Sequence, residues 1–270
     1  MKTCAIFYIS DGTGITAETV GHSLITQFPF IKFLQKRFAF VDSEEKAEAA
    51  AKAIRETASD YQPLVINTVV DESLRKIIHA AGGLKLDPFN RLLLEIENAL
   101  DVKREPVVGR AHGMADTRRY DARIDATNFA LSHDDGINMN FVKADIILLG
   151  VSRSGKTPTC LYLALHYGVK AANYPLTDED LDVMKLPDKI IQHKEKTFGL
   201  TIDPFRLSQI RSERRPNSRY ADLRKCQAEV SDAEIMFQRY GIDYLNTTHT
   251  SIEEISGKIL VSLNLNKRLF

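Results

Sequence analysis

The stretch Gly150-Val151-Ser152-Arg153-Ser154-Gly155-Lys156-Thr157 decides the fold, because it matches GxxxxGK[ST] at every fixed position. The apolar run from Asp145 to Leu149 before it reads as a short buried strand, and Thr157 to Tyr167 after it as a helix. Strand, loop and helix in that order are the context in which this pattern cradles phosphate. Its glycines let successive backbone N–H groups turn inward around phosphate oxygens with no Cβ in the way. Lys156 then places a point charge on the outer phosphates, and the Thr157 hydroxyl is the expected magnesium ligand. The following helix directs its positive end at the same anion. With glycine near 7% of residues, a chance match in a chain this long has a probability on the order of one in a hundred. Arg153 adds a cation that a purely structural turn does not need. All eight residues are therefore expected to bind nucleotide, with Lys156 catalytic.

Outward from the loop, apolar runs alternate with helical-period segments almost from end to end, the pattern of an α/β fold with parallel sheets. Cys4 to Ile9, Arg37 to Val41 and Leu64 to Val70 read as strands of an N-terminal α/β domain. Asp42 with Glu45 and the Asp87-Pro88 pair mark helix starts within it. Leu93, Ile96 and Leu100 keep helical spacing after the second of these. The segment around Pro106, Gly109 and Gly113 lacks periodicity, which divides the chain into an N-terminal domain (1–105) and a P-loop kinase-like domain (106–270). In the second, Tyr120, Ile124, Thr127 and Leu131 fall on one face of a helix that stops at Asp134-Asp135-Gly136. Val169 to Tyr174, Thr197 to Ile202 and the region of Tyr244 supply further strands. A long helix is predicted from about Arg219 to Tyr240. A last helix is predicted to start at Thr250 with Glu253 completing a capping box.

Composition narrows the function classes. The 270 residues carry 36 basic and 36 acidic side chains and are 44% hydrophobic, an ordinary globular balance with no charge excess to propose nucleic-acid or membrane-surface binding. No apolar run approaches the roughly 20 residues of a membrane helix. Cys4, Cys160 and Cys226 are odd in number and form no CxxC pair, so neither a disulfide framework nor a zinc site is indicated. A cytoplasmic protein is expected.

A kinase also needs a group to orient or deprotonate its acceptor and a carboxylate to help hold the metal. His133-Asp134-Asp135-Gly136 supplies adjacent carboxylates just before the loop-bearing strand. Asp134 is assigned as base or acceptor-orienting residue and Asp135 as assisting the metal, against the alternative of a polar helix end with a glycine cap. His133 reads as a surface or capping histidine. Asp178 is a weak substitute for a Walker-B aspartate. Arg110, His112, Arg118 and Arg119 form one basic cluster. Arg211, Arg214 and Arg215 share a helical face that either grips phosphoryl oxygens or is solvated. Ser10-Asp11-Gly12-Thr13-Gly14 is either a second anion site or a tight βα turn.

Several of these segments together resemble one family. Phe7-Tyr8-Ile9-Ser10-Asp11-Gly12-Thr13, Tyr120-Asp121-Ala122-Arg123-Ile124, His133-Asp134-Asp135-Gly136 and the loop followed by Pro158-Thr159 look like the phosphoenolpyruvate synthase regulatory proteins. Gly199-Leu200-Thr201-Ile202-Asp203-Pro204 and Ser218-Arg219-Tyr220-Ala221 continue the likeness, which spans essentially the whole chain. Gly155 favours this branch over the sister family that regulates pyruvate, phosphate dikinase, whose loop typically has Ser before the Lys. The resemblance implies a bifunctional enzyme and a homodimer. It phosphorylates a threonine near the catalytic histidine of the dikinase with ADP as donor, releasing AMP. It reverses this when inorganic phosphate attacks the phosphothreonine and pyrophosphate leaves. The implied partner is phosphoenolpyruvate synthase, and the implied ligands are ADP, phosphate and Mg. The phosphate loop alone also admits a small-metabolite kinase or a nucleotide-switched binding module. No NKxD run supports a GTPase.

Overall fold

The computed structural model describes residues 2–105 and 117–265, with side chains of the second stretch described from Tyr120 onward. The chain divides into two compact units, Met1–Ala115 and Asp116–Phe270. Pro106, Gly109 and Gly113 lie outside the described residues, as do Arg110, His112 and the side chains of Arg118 and Arg119.

The first unit contains β1 (Lys2–Ile9), α1 (Ile15–Ile25), β2 (Ile31–Phe38), α2 (Glu44–Thr57), β3 (Gln62–Asn67), α3 (Glu72–Ala80), β4 (Leu84–Leu86) and α4 (Pro88–Leu100). Its strands form a parallel sheet in the order β2-β1-β3-β4. Alternation along β1 sends Ala5, Phe7 and Ile9 to a core shared with Ala47, Ile54, Leu74 and Ile78, while Ile6 and Tyr8 meet Ala17 and Ile25 on the other face. Strand β2 begins six residues earlier than its apolar pattern indicates. As an edge strand it alternates with Lys32, Lys36 and Arg37, which mask its period. Asp87 caps α4 as predicted, accepting from Asn90 N at 3.0 Å. Ile96 and Leu100 of its stripe are exposed, because no described element covers them.

The second unit contains α5 (Thr117–Ser132), β5 (Ile146–Gly150), α6 (Lys156–Tyr167), β6 (Ala171–Pro175), α7 (Asp178–Val183), α8 (Asp188–Ile191), β7 (Thr197–Thr201), α9 (Pro204–Arg214), α10 (Leu223–Tyr240), β8 (Tyr244–Asn246) and α11 (Ile252–Ser262). Its parallel sheet runs β6-β5-β7-β8. Central β5 is buried throughout. Ile147 and Leu149 pack with Leu207, Val230 and Phe237, and Ile146 and Leu148 with Ala126, Leu163, Ile255 and Ile259. Each such side chain contributes about 1.5–3 kcal/mol on leaving water. The strand is thus a rigid base for the loop at its carboxyl end.

Two helix readings change. Tyr120, Ile124 and Leu131 do share a face of α5, but that face is exposed. The face turned to the core carries the small Ala126 and Ala130, which let the helix approach closely. The cap of α11 is Ser251 rather than Thr250: Ser251 Oγ accepts from Glu254 N at 3.2 Å, whereas Thr250 Oγ1 donates to Asn246 O.

Candidate active site

The loop between β5 and α6 is shaped by its ends. Gly150 has φ 155°, and a Cβ there would stand 2.3 Å from Leu200 O and 2.7 Å from Ser154 Oγ; Gly155 caps α6 with φ 91°. Both conformations favour glycine. Between them Lys156 turns back into the loop, 4% exposed, with Nζ donating to Val151 O at 2.9 Å. An ammonium has three donors, and this contact satisfies one. Burial pushes its pKa down to about 8, opposed by the nearby Asp135, Cys160 and Asp134. Ser154 is fully buried and its Oγ has no partner among the described residues. A loop with a buried, under-satisfied cation and an orphaned hydroxyl fits a phosphate chain. Arg153 projects from it, exposed, with φ 77°.

The Asp134-Asp135 turn lies against the start of α6. Thr157 Oγ1 donates to Asp134 Oδ1 at 2.9 Å. Asn173, buried near the end of β6, donates from Nδ2 to Asp134 Oδ1 and also lies 3.0 Å from Thr157 Oγ1 and 3.4 Å from Asp135 Oδ1. The Asn173 backbone straps the turn on both sides: its N–H donates to His133 O at 2.9 Å and its C=O accepts from Gly136 N at 3.0 Å. One strand residue therefore fixes both carboxylates relative to the loop. His133 is buried rather than at the surface. Its ring stacks on Phe129 at 3.8 Å, with Nδ1 at Phe129 O and Nε2 at Asn140 O.

Behind the loop, Arg211 neither faces solvent nor reaches toward phosphate. At 1% exposure, its Nη2 donates to Ser152 O at 3.1 Å and to Glu229 Oε2 at 2.6 Å, and Nη1 donates to Tyr220 O. Its guanidinium lies 4.2 Å from the Tyr220 ring centroid, and the Tyr220 hydroxyl bonds Ser152 Oγ at 2.9 Å. Arg214 and Arg215 are exposed. Thr247, after β8, braces the other side by donating to Ser154 O at 3.1 Å. Asp178 pairs instead with Lys225 at 2.7 Å. Asn173 was detectable as a polar residue inside an apolar strand; Arg211, Tyr220 and Thr247 carry no local signal.

The N-terminal turn is closed by its own bonds. Asp11 Oδ2 accepts from Val70 N at 2.6 Å, Ser10 Oγ from Gly12 N, and Thr13 O from the Arg37 guanidinium, while Glu18 sits in the first turn of α1. These contacts describe a tight βα connection. Among the described residues no group of three His, Cys, Asp or Glu side chains is arranged to hold a metal, and no helix is long and apolar enough to cross a membrane.

The kinase/pyrophosphorylase family profile matches residues 6–260. A relative from Stenotrophomonas maltophilia strain R551-3 is 56% identical over 267 residues, covering 98% of both chains. Relatives from Xanthomonas oryzae pv. oryzae and Xanthomonas euvesicatoria pv. vesicatoria are 55% and 54% identical with the same coverage. All three are provisionally named phosphoenolpyruvate synthase regulatory proteins. Among solved structures, a LacI transcriptional regulator from Lactobacillus brevis aligns over 92% of this chain and 98% of that chain at 12% identity, with a TM-score of 0.21; that score carries no argument about the fold.

Proposed function

The chain belongs to the kinase/pyrophosphorylase family, and from that premise we propose that it reversibly inactivates phosphoenolpyruvate synthase by transferring a phosphoryl group to and from a threonine. The family supports phosphoryl transfer as the activity class. The observation that carries the finer reading is the buried Lys156 ammonium, held in the Gly150–Thr157 loop with one protein acceptor.

In the forward direction ADP is the substrate, its β-phosphate lying against Lys156 and the loop amides. The threonine hydroxyl oxygen attacks the β-phosphorus, the bond to the bridging oxygen breaks, AMP leaves and the hydroxyl proton passes to a carboxylate. In reverse, an oxygen of inorganic phosphate attacks the phosphothreonine phosphorus, the threonine oxygen leaves and takes up a proton, and pyrophosphate is released. Both directions contain a diphosphate, as product in one and donor in the other, so one cradle serves both. Holding attacker and phosphorus in line while screening charge is most of the catalytic work.

On this reading the carboxylates exchange the roles expected from the sequence. The bond from the Thr157 hydroxyl to Asp134 supports Asp134 as the metal-side carboxylate, which leaves the adjacent Asp135 to orient the acceptor. Magnesium would be held by Thr157 and Asp134 with phosphate oxygens and water, the usual arrangement where one carboxylate is available, and it supplies charge screening when bound.

Incubation of the protein with purified synthase and either ADP or ATP, followed by mass spectrometry of the synthase, tests this. ADP should yield phosphothreonine and AMP, and added phosphate should then release pyrophosphate. Transfer from ATP with ADP as product, or to a small metabolite without the synthase, would overturn it.

A further inference from the structure

A cavity of about 610 Å³ opens at the carboxyl ends of β7 and β8. Phe205, Arg206 and Gln209 of the first turns of α9 form one wall, and Asn246, Thr248 and His249 after β8 form the other. Its volume lies within the range of small-molecule sites. Adjacency to the phosphate loop is fixed by Thr247, which stands between two of the lining residues and donates to Ser154 O at 3.1 Å. The walls are joined at their base by Asp203 N donating to Thr248 Oγ1 at 2.7 Å. The Asp203 carboxylate is already engaged in capping α9.

Asn246 Oδ1 is taken up by Thr248, accepting from its N at 2.9 Å and its Oγ1 at 2.6 Å, but other groups facing the cavity are free among the described residues. Phe205 is 61% exposed. His249 and the Nδ2 of Asn246 make no hydrogen bond among the described residues, and Arg206 makes no ion pair there, touching only Gln209 Oε1 at 3.4 Å. An aromatic face, two carboxamide nitrogens and an unpaired guanidinium next to the loop are groups that suit the parts of a nucleotide. Base–aromatic stacking is sequence-tolerant because every base has a π-face. The carboxamide nitrogens of Asn246 and Gln209 are left to donate to the ring acceptors of a purine edge, and a guanidinium suits phosphate oxygens.

We propose that this cavity is the nucleoside subsite of the phosphate loop. It takes the purine base and ribose of a nucleoside diphosphate, with the base on Phe205, Asn246 and Gln209 at its edge, and Arg206 toward the phosphate nearest the ribose. The assignment rests on the phosphate-loop reading above, since it places the diphosphate tail under Lys156.

Titration calorimetry with magnesium, using ADP and pyrophosphate against the full-length protein, separates the two readings. Wild type should bind both, ADP more tightly. Phe205→Ala should weaken ADP about fivefold to a hundredfold and leave pyrophosphate within twofold. His249→Ala, also at an exposed position, provides a second variant and should weaken ADP selectively by a smaller factor. Unchanged ADP affinity in both variants would overturn the subsite while leaving the cradle intact, as would a rise confined to the KM for the protein substrate. Wild type that binds pyrophosphate no more weakly than ADP would also remove the subsite. Binding of neither ligand would remove the cradle and the subsite together.

Discussion

On the proposed function, Lys156 should make nucleotide binding a proton-coupled event above neutral pH. Its pKa in the free protein is about 8, lowered by burial, whereas an ammonium facing phosphate returns to its ordinary value near 10.4 or above. The sign follows from protons bound. Below pH 8 both states hold the proton and affinity is flat. Between roughly 8 and 10.4 only the complex holds it, so affinity falls as pH rises. At pH 9 most of the free protein should have lost that proton, so binding should take up most of one proton; from pH 7 to 10 the ADP affinity should fall by roughly one to two orders of magnitude. Cys160, the buried thiol beside it, is pushed upward by burial and stays protonated throughout. Calorimetry at pH 9 in buffers of different ionisation enthalpy counts the protons directly. Uptake near zero, with affinity unchanged to pH 10, would refute an anion seated on this lysine.

Lys156→Met should abolish ADP binding yet stabilise the ligand-free protein at pH 7 by about 2 kcal/mol. That figure is the roughly 3 kcal/mol of a buried charge less about 1 for the lost bond to Val151 O, and equal or lower stability in urea denaturation would contradict it. Asn173→Ala should lower turnover about tenfold to a hundredfold with ADP affinity within a few-fold, because the clamp on Asp134, Asp135 and Thr157 is lost; steady-state kinetics showing wild-type turnover would dismiss it. Asp134→Asn should cut transfer at least a hundredfold and raise the magnesium requirement, and an unchanged metal dependence would remove it from the metal side. Arg211→Ala leaves Glu229 unpaired apart from Lys225 at 3.5 Å and should destabilise the fold by about 3 kcal/mol; a denaturation midpoint equal to wild type would assign the guanidinium no bracing role.

Local chemistry made the loop and its flanking elements legible: a fixed spacing of glycines and lysine, a wholly apolar strand, and Asp-Pro helix starts. The elements misjudged are those whose pattern depends on what lies opposite. Strand β2 hides its period behind edge lysines, and the apolar face of α5 points outward while alanines do the packing. In the candidate site, Asp134 and Asp135 stand out in the sequence because they are adjacent to each other and precede the loop-bearing strand. The braces Asn173, Arg211 and Thr247 lie 16, 59 and 93 positions from the loop residues they bond. Only the parallel sheet order brings them together. Arg211 shows the limit most clearly: three arginines at helical spacing look equivalent, and only tertiary packing separates the buried one from the two exposed.

On the proposed function, the phosphoryl group moved is the β-phosphate of a diphosphate held under Lys156. ADP labelled at the β-phosphorus, incubated with the protein, magnesium and phosphoenolpyruvate synthase, tests it directly. The label should appear on a threonine of the synthase with one AMP formed per label transferred. Label that stays with the nucleotide, or that is lost to water without reaching the synthase, would contradict it.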